Sequence, residues 1–437
     1  MSLKKNALAT VALTGIAVAV SSAYAAGFQL TEQSSLGLGR AFAGAGIVGD
    51  DLSAAHYNAA GMTLLPGTQI QAGSVYVEVD APFSGTAIHP VTRQSYSFSE
   101  NGRLKGQAIP AGYITHQVND QLWLGLSMTV PYGLGTEWSQ FWDGSDHGNQ
   151  SMLMTVDINP NIAYKVSDKL SLGAGISLQY AKAELGAASD VSEMGGYPAG
   201  SGLAKMDSVV NGDSWAWGFN LGVMYQPTET LRFGLAYRSQ IAHNAEGDIK
   251  MTLGAFNPVT GGYDASHYAS GNDFKVRVTT PDTIMATATW EATQDLRLSG
   301  LVRWARWSNL DQLHIHSSKI PGGVKENNYE WQDTWLFSVG ADYRLNNEWT
   351  VRGGVAYETS AVDDPKTRTA TIPDADRVWL SLGASYNYSK QIQFDFGATY
   401  LMGVGNMDLW NEDGSRYIGK FDSLDAFILG AQLQYRF

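Results

Sequence analysis

The sequence contains no cysteine, few charged residues and, beyond residue 25, no long hydrophobic run. Without cysteine there is no disulfide, no thiolate metal site and no cysteine nucleophile. No stretch after residue 25 approaches the ~18 consecutive apolar residues of a membrane-spanning helix. Charged residues are only 16% of the chain, against about 25% in a typical soluble domain. The net charge is −13 and no basic tract offers a footprint for nucleic acid.

The residues that are abundant indicate a different class of protein. Hydrophobic residues make up 44% of the chain, which also has 48 Gly, 13 Trp and 21 Tyr. A membrane β-barrel has this composition, because its outer face meets lipid and rings of aromatic side chains lie at both interfaces.

The first 25 residues have the pattern of a secretory signal. Lys4 and Lys5 precede an uncharged apolar run over residues 7–20, and small residues follow up to Ala25. This order predicts a signal peptide spanning 1–25 that is cleaved after Ala25. The alternative, a short membrane anchor, is disfavoured because the apolar run is too short and the residues that follow it are small and polar.

The last eleven residues alternate strictly between two faces. The apolar positions are Phe427, Leu429, Ala431, Leu433, Tyr435 and Phe437. A period of two is typical of a β-strand with one apolar face, and about 9–11 tilted residues cross a bilayer. We therefore predict a membrane-spanning strand that closes a barrel by pairing with the first strand.

Similar alternation recurs from residue 68 onward. The fourteen segments lie near 68–83, 106–118, 121–131, 151–166, 169–183, 213–226, 230–244, 273–291, 295–309, 332–345, 348–361, 376–388, 391–404 and 421–437. Short polar turns alternate between them with long polar loops, such as 184–212 and 245–272. The prediction is an all-β fold, a 14-stranded antiparallel transmembrane β-barrel over residues 68–437. Both termini and the turns would be periplasmic and the long loops extracellular, in a Gram-negative outer membrane.

Residues 26–67 do not alternate and are dense in Gly and Ala. They are too apolar for a disordered tail and too short for a core of their own. Because they precede the first strand directly, we predict that they form a compact plug, or hatch, inside the barrel.

Several spaced motifs carry a resemblance that covers essentially the whole chain. They are residues 26–30 (AGFQL), 35–41 (SLGLGRA), 50–51 (DD), 131–137 (PYGLGTE), 237–239 (YRS) and 372–381 (IPDADRVWLS). In this order they resemble the FadL family of long-chain fatty acid transporters. The resemblance implies a luminal hatch and uptake of hydrophobic compounds.

The resemblance also assigns candidate gating residues. Phe28 lies in the first motif, and the family's Asn-Pro-Ala hatch motif corresponds here to Asn58, Ala59 and Ala60, followed by Gly61. The missing proline removes a fixed φ and restores a backbone donor. The family's inward kink in strand 3 would fall near Gly125 and Pro131, because Gly favours a bend and Pro does not donate to the ladder. Alternatively, Gly125 is an ordinary barrel glycine and Pro131 ends the strand.

Three arginines are candidates for binding a ligand carboxylate. Alternation places Arg238, Arg303 and Arg377 on the luminal face, and arginine binds carboxylates bidentately. The alternative is that they form luminal ion pairs with Asp342 or Asp395. Lys182 lies where the family tends to carry a basic residue, although alternation points it outward. Apolar residues in the long loops (Leu203, Met206, Met251, Leu253 and Phe256) would admit the ligand or simply pack the loops together.

The sequence thus predicts passive, ligand-gated uptake of long-chain fatty acids, with lateral release into the membrane. The alternatives are uptake of aromatic or alkane hydrocarbons, a general porin and a surface receptor. No enzyme activity or cofactor is expected, because the sequence shows no nucleophile elbow, phosphate loop or recognisable catalytic triad. No metal site is expected, because His314 and His316 lack an evident third ligand. The expected partners are hydrophobic small molecules, the bilayer and lipopolysaccharide, and the protein is expected to be a monomer.

Overall fold

The computed structural model describes residues 27–102, 106–320, 322–411 and 414–437. The predicted signal peptide lies outside these ranges. Within them, nineteen strands form one sheet and four further strands form a second, small sheet. The large sheet closes into a 14-stranded antiparallel barrel, as predicted. Each of the fourteen positions in the barrel wall, here called a stave, is occupied by one strand or by two consecutive strands, so nineteen strands fill fourteen staves.

The bounds of the elements are as follows. Single strands form the staves β1 Thr68–Asp80, β4 Gln107–Gln117, β7 Gln150–Ser167, β8 Leu170–Asp190, β9 Ala204–Tyr225, β18 Trp349–Glu358, β19 Asp376–Asn387, β20 Ile392–Val404 and β23 Asp425–Arg436. Paired strands form the staves β5 Leu122–Thr129 with β6 Gly133–Glu137, β10 Leu231–Arg238 with β11 Ile241–Asn257, β12 Gly262–Thr280 with β13 Thr283–Glu291, β14 Leu296–Ala305 with β15 Gln312–His316, and β16 Val324–Asn328 with β17 Thr334–Arg344. The small sheet consists of β2 Pro82–Ile88, β3 Ser95–Asn101, β21 Asp408–Trp410 and β22 Tyr417–Phe421.

The helices are short. They are the α-helices α1 Ser35–Leu38 and α2 Ala54–Tyr57, and the 3-10 helices Ala59–Leu64, Ser145–His147, Ser192–Gly195 and Trp307–Asn309. No helix among the described residues has the length and apolar character needed to cross a membrane.

The last strand closes the barrel as the sequence predicted. β23 pairs with β1 from Gln69↔Arg436 to Asp80↔Asp425, and with β20 on its other side. Its side chains alternate in exposure: Phe427, Leu429, Leu433 and Tyr435 are exposed, whereas Ile428, Gln432 and Gln434 are buried. The apolar face therefore points outward toward lipid and the amide-bearing face points into the lumen.

Each predicted segment overlaps one stave, but the predicted loops 184–212 and 245–272 are largely strand and extend the barrel wall. Residues 184–190 and 204–212 extend β8 and β9, and residues 245–257 and 262–272 extend β11 and β12. These extensions pair with one another, from Asp190↔Lys205 onward and from Asn257↔Gly262 onward. Sequence alternation missed them because their exposed residues, such as Glu246, Asp248 and Lys250, are polar. The end of the barrel that carries these strand extensions is called the loop end. The opposite end, where short connections join the strands, is called the turn end.

The N-terminal segment (residues 27–67) packs against inward-facing positions of the wall. α1 contacts β19, β20, β23 and β1, whereas the 3-10 helix Ala59–Leu64 contacts β5, β7, β8 and β9. The wall has glycine where this backbone approaches most closely: a Cβ on Gly173 would lie 2.2 Å from the Ala60 nitrogen, and one on Gly397 would lie 2.2 Å from the Ser35 oxygen. A larger residue at either position would displace the segment.

A buried network of charges joins the N-terminal segment to the wall. Arg40 lies 2.6 Å from Asp50 within the segment and 3.5 Å from Asp342 of β17. Asp342 also pairs with Arg352 at 2.9 Å and lies 3.8 Å from Arg297. Because buried charges are tolerated only when paired, Asp342 neutralises arginines from three parts of the chain.

We expect Asp342→Asn to weaken both the barrel and the packing of the N-terminal segment. Removing one partner of a buried ion pair costs about 3–5 kcal/mol, so urea unfolding in lipid vesicles should shift to lower denaturant and hydrogen exchange at residues 35–50 should accelerate. Asp168→Asn is the matched control, since Asp168 is fully exposed in its pair with Lys165 and should change neither measurement. Equal effects of the two substitutions would contradict the role of Asp342.

Candidate functional site

The wall of the barrel is interrupted in its third stave. β5 ends at Thr129 and β6 begins at Gly133. β4 pairs with β5 only from Gly112↔Met128 to Gln117↔Trp123, so residues 107–111 of β4 pair with β1 but not with the third stave. A seam between the second and third staves therefore lacks ladder hydrogen bonds toward the loop end.

The N-terminal segment covers the edge that this seam exposes. The Leu30 nitrogen donates to the Pro131 oxygen at 2.8 Å, and the Gly133 nitrogen donates to the Phe28 oxygen at 2.9 Å. The Gln33 side chain donates to the Val130 oxygen at 2.7 Å and accepts from the Val130 nitrogen at 3.1 Å. Backbone groups that would otherwise face an apolar environment are thus satisfied by the segment.

The interruption lies at Pro131, not at Gly125. Gly125 is regularly paired with Thr115 and Asn161, so the ladder is not interrupted there. A Cβ on Gly125 would lie 2.4 Å from the sulfur of Met62. Gly125 instead makes room for the N-terminal segment.

Asn58 anchors the predicted gating residues to β9 and β10 of the wall. Its side-chain nitrogen donates to the Val223 oxygen at 3.0 Å and to the Leu235 oxygen at 3.4 Å. Its side-chain oxygen accepts from the Ala60 nitrogen at 3.1 Å and so caps the 3-10 helix Ala59–Leu64. Gly61 lies within that helix, where a Cβ would overlap the Gly46 oxygen at 1.7 Å. These residues form a tightly packed unit whose movement requires breaking the Asn58 contacts.

Phe28 lies at the centre of an aromatic cluster. Its ring is 4.6 Å from Trp307, 5.7 Å from Trp331 and 6.1 Å from Tyr132, measured between centroids. Aromatic pairs of this kind contribute about 0.5–1.5 kcal/mol each beyond their buried area. Apolar contacts therefore hold the start of the N-terminal segment, whereas Asn58 is held by polar contacts.

A small inner cavity lies between the N-terminal segment, the interrupted stave and the wall. Its volume is about 50 Å³, and its lining includes Thr31, His56, Pro131, Arg238 and Arg303. This volume holds a few water molecules. Two of the three predicted arginines thus meet at one site next to the seam.

Arg238 has the weaker ionic partner of the two. It donates to the Ser177 hydroxyl at 2.9 Å and to the His56 oxygen at 2.9 Å, and its guanidinium is 3.7 Å from the Asp157 carboxylate. Arg303 donates to Thr31 at 2.8 Å and pairs with Glu358 at 2.9 Å. Arg238 is therefore the cation with more capacity for an added carboxylate.

Arg377 does not line the inner cavity. It is buried and pairs with Asp374 at 2.8 Å, and its Nε is 3.9 Å from Glu358. Arg238, Arg303 and Arg377 each lie near a carboxylate, but these carboxylates belong to Asp157, Glu358 and Asp374 and not to Asp342 or Asp395. Asp395 instead accepts from amide side chains, including that of Gln434 at 2.7 Å.

Lys182 is apart from these arginines. Its side chain is exposed on the outer face of β8, the direction that alternation predicted. This position does not bring it to the inner cavity.

A larger apolar groove lies at the loop end. Its volume is about 400 Å³. The apolar lining includes Leu185, Val191, Met206, Val210, Ile249, Met251, Ile315 and Ile320, and the basic lining includes Lys319, Lys325 and Lys366. Met206 and Met251, two of the apolar loop residues expected at the ligand entrance, both line this groove from the neighbouring strands β9 and β11.

Sequence reasoning missed several residues of the site. Gln33, which caps the broken stave, and Glu358, which pairs with Arg303, carried no pattern that set them apart. Glu32 is 1% exposed with one carboxylate oxygen lacking a hydrogen-bond partner among the described residues. Its place beside the motif at residues 26–30 was the one available signal.

We expect Gln33→Leu to open the edge of the third stave. The substitution preserves size but removes both bonds to Val130, and an unmet buried donor costs about 1–3 kcal/mol. Hydrogen exchange at residues 129–133 should accelerate roughly tenfold, as measured by mass spectrometry. Gln29→Leu is the control, because the Gln29 side-chain oxygen has no hydrogen-bond partner among the described residues. Unchanged exchange in Gln33→Leu would contradict the capping role.

Comparison with known proteins agrees with this architecture. The model of the family described as "Outer membrane protein transport protein (OMPP1/FadL/TodX)" matches residues 16–437. The chain is 29% identical over 464 residues to a long-chain fatty acid transport protein of Escherichia coli, with 100% of both covered, and 31% identical over 422 residues to outer membrane protein P1 of Haemophilus influenzae, with 89% of each covered. A Pseudomonas aeruginosa FadL homologue superposes with a TM-score of 0.80 at 23% identity, covering 94% of this chain and 100% of that one. The chain therefore belongs to the OMPP1/FadL/TodX family of outer membrane transport proteins.

Proposed function

We propose that this protein takes up long-chain fatty acids from outside the cell and releases them sideways into the outer membrane. The observation that carries the proposal is the position of Arg238 and Arg303. Both lie on a cavity bounded by the N-terminal segment and the interrupted stave, so a carboxylate bound there would lie beside the seam.

The N-terminal segment acts as the hatch in this proposal. A cavity of about 50 Å³ is much smaller than the ~300–1,000 Å³ of typical small-molecule sites. A fatty acid therefore enters only if the segment moves. The ligand would favour the displaced position of the segment because it binds that position better than the packed one, as a ligand-driven shift requires.

Hydrophobic energy explains capture and also makes release difficult. Burial of ~14 methylenes at about 0.8 kcal/mol each provides ~11 kcal/mol before costs. Release into water would forfeit this energy, whereas release into the bilayer keeps the acyl chain in an apolar medium. Transfer of the ligand to the bilayer would begin at the seam between β4 and the third stave, once Phe28–Leu30 moves away from it.

The groove at the loop end is the proposed first binding site. Its Met and aliphatic lining suits an acyl chain, and Lys319, Lys325 and Lys366 suit a carboxylate. This assignment places the loop end outside the cell and both termini on the periplasmic side. The protein would work as a monomer in a bilayer that contains lipopolysaccharide.

Uptake of neutral aromatic or alkane hydrocarbons is the second candidate. The observation that favours it is the pairing of Arg303 with Glu358 at 2.9 Å, because an arginine already neutralised attracts a carboxylate less.

A general porin is disfavoured by the packing of the N-terminal segment inside the barrel, and a steady large conductance in planar bilayers would reverse that judgement. A surface-receptor role would persist in variants that have lost all uptake.

We expect Arg238→Gln to weaken fatty acid binding about 10- to 100-fold, since hydrogen bonds to charged groups contribute about 1.5–3 kcal/mol. Binding of the alcohol with the same chain length should change little. The measurement is a titration of purified protein with both ligands, followed by uptake of labelled acid in cells.

Arg306→Gln provides the matched control for this substitution. Arg306 is half-exposed and pairs with Asp282 at 2.8 Å outside the cavity, so its loss should leave both ligands unaffected. If Arg238→Gln bound acid and alcohol as the wild type does, recognition of a carboxylate at this site would be rejected in favour of hydrocarbon uptake.

A disulfide that fixes the N-terminal segment should block transport. Gln29 and Tyr132 are directly opposed in an antiparallel bridge, in the kind of pair whose Cα atoms are about 4.5 Å apart, which suits a disulfide. The sequence has no other cysteine, so Gln29→Cys with Tyr132→Cys forms one defined bond. Uptake should fall at least tenfold when the bond is oxidised and recover on reduction. Transport at equal rates in both states would mean that the segment does not gate.

A further inference from the structure

The wall contains a second irregularity, between β12 and β15 at the loop end. These strands share only two register pairs, Lys275↔His316 and Val276↔Ile315. Regular pairing resumes in the same two staves at Thr283↔Ala305. Between these points the 3-10 helix Trp307–Asn309 replaces a strand, which leaves a cavity of about 530 Å³.

The outward-facing residues around this cavity are polar. They come from three neighbouring strands and the adjoining 3-10 helix: Asn244 and Glu246, Lys275, Arg277 and Thr279, Asn309, and Gln312, His314 and His316. Ala245, Val276 and Leu310 form its floor. Most of the polar groups are hydrogen-bond donors, and Glu246 is the carboxylate in the described lining. This composition favours an anion.

The cavity lies just beyond the apolar band of the outer surface. Nearer the middle of the same staves, the exposed residues are Leu235, Ile284 and Val302. The change from apolar to polar along adjacent strands marks the level where lipid chains give way to headgroups. A ligand in the cavity would therefore be positioned to extend its apolar part down the wall.

One cation in the cavity is available for a ligand. Lys275 pairs with Glu246 at 3.0 Å, and both are exposed. The Arg277 guanidinium is exposed and has no ion-pair or hydrogen-bond partner in the described part of the chain. Arginine matches the geometry of phosphate with two parallel hydrogen bonds. His314 lies 3.5 Å from Glu326 and adds a ring nitrogen beside the same opening.

We propose that this cavity binds the phosphorylated headgroup of an outer-leaflet lipid, with Arg277 and Lys275 as the phosphate ligands. The volume accommodates a phosphorylated sugar, and the apolar wall below it accommodates acyl chains. A soluble phosphate would make the polar contacts but gain nothing from that wall. The site is on the outer surface, so it is independent of transport through the lumen.

The test is a titration of the detergent-purified full chain with lipid A, followed by native mass spectrometry. Dephosphorylated lipid A and inorganic phosphate serve as the other probes. Each basic residue near a lipid phosphate contributes about 1 kcal/mol, so Arg277→Gln should weaken lipid A binding about fivefold. The double substitution Lys275→Gln with Arg277→Gln should weaken it roughly 25-fold. Lys420→Gln removes an exposed charge from the small sheet and should have no effect.

The outcomes separate the possibilities. Tighter binding of lipid A than of its dephosphorylated form, lost in the Arg277 and Lys275 variants alone, would support the site. Equal binding of both lipid forms, or equal loss in Lys420→Gln, would overturn it. Inorganic phosphate that binds as tightly as lipid A would mean a soluble anion site and overturn the assignment to a lipid.

Discussion

The structure depends on one constraint: every backbone polar group within the hydrocarbon layer needs a partner in the protein. A closed antiparallel barrel meets this constraint, and the pairing of β23 with β1 completes it. The third stave breaks the ladder, and the N-terminal segment supplies the missing partners through Phe28, Leu30 and Gln33. The gap in the ladder and the segment that packs against the inward-facing wall are therefore parts of one arrangement.

This arrangement gives the N-terminal segment two tasks that oppose each other. It stabilises the barrel by pairing with Pro131 and Gly133, and in the proposed function it must leave to admit a ligand. Its contacts are divided accordingly. The Arg40 network and Asn58 hold the segment to the wall away from the seam, whereas Phe28 and Leu30 meet the seam itself. A movement limited to the first residues would open the seam without extracting the whole segment.

The luminal charges, like the backbone polar groups, have partners within the protein. Wall arginines pair with wall carboxylates, as Arg303 does with Glu358, or with the N-terminal segment, as Arg297 does with Asp50. A ligand carboxylate entering the inner cavity must therefore compete with resident anions. Because Arg238 has its carboxylate partner only at 3.7 Å, competition is weakest there, which is why carboxylate recognition is assigned to it first.

The sequence by itself determined the barrel, its strand order and which face of each strand meets lipid, because lipid contact imposes an alternation that is visible locally. It also placed Arg238 and Arg303 on the luminal face. Only the tertiary structure decided that these two meet while Arg377 does not, that the break falls at Pro131 and not at Gly125, and that Gln33 caps it. Those facts depend on the path of a segment without alternation, and on contacts between residues that lie from about a hundred to several hundred positions apart. No local pattern encodes such contacts, since different buried polar residues of suitable size could make them and no one residue type marks them in the sequence.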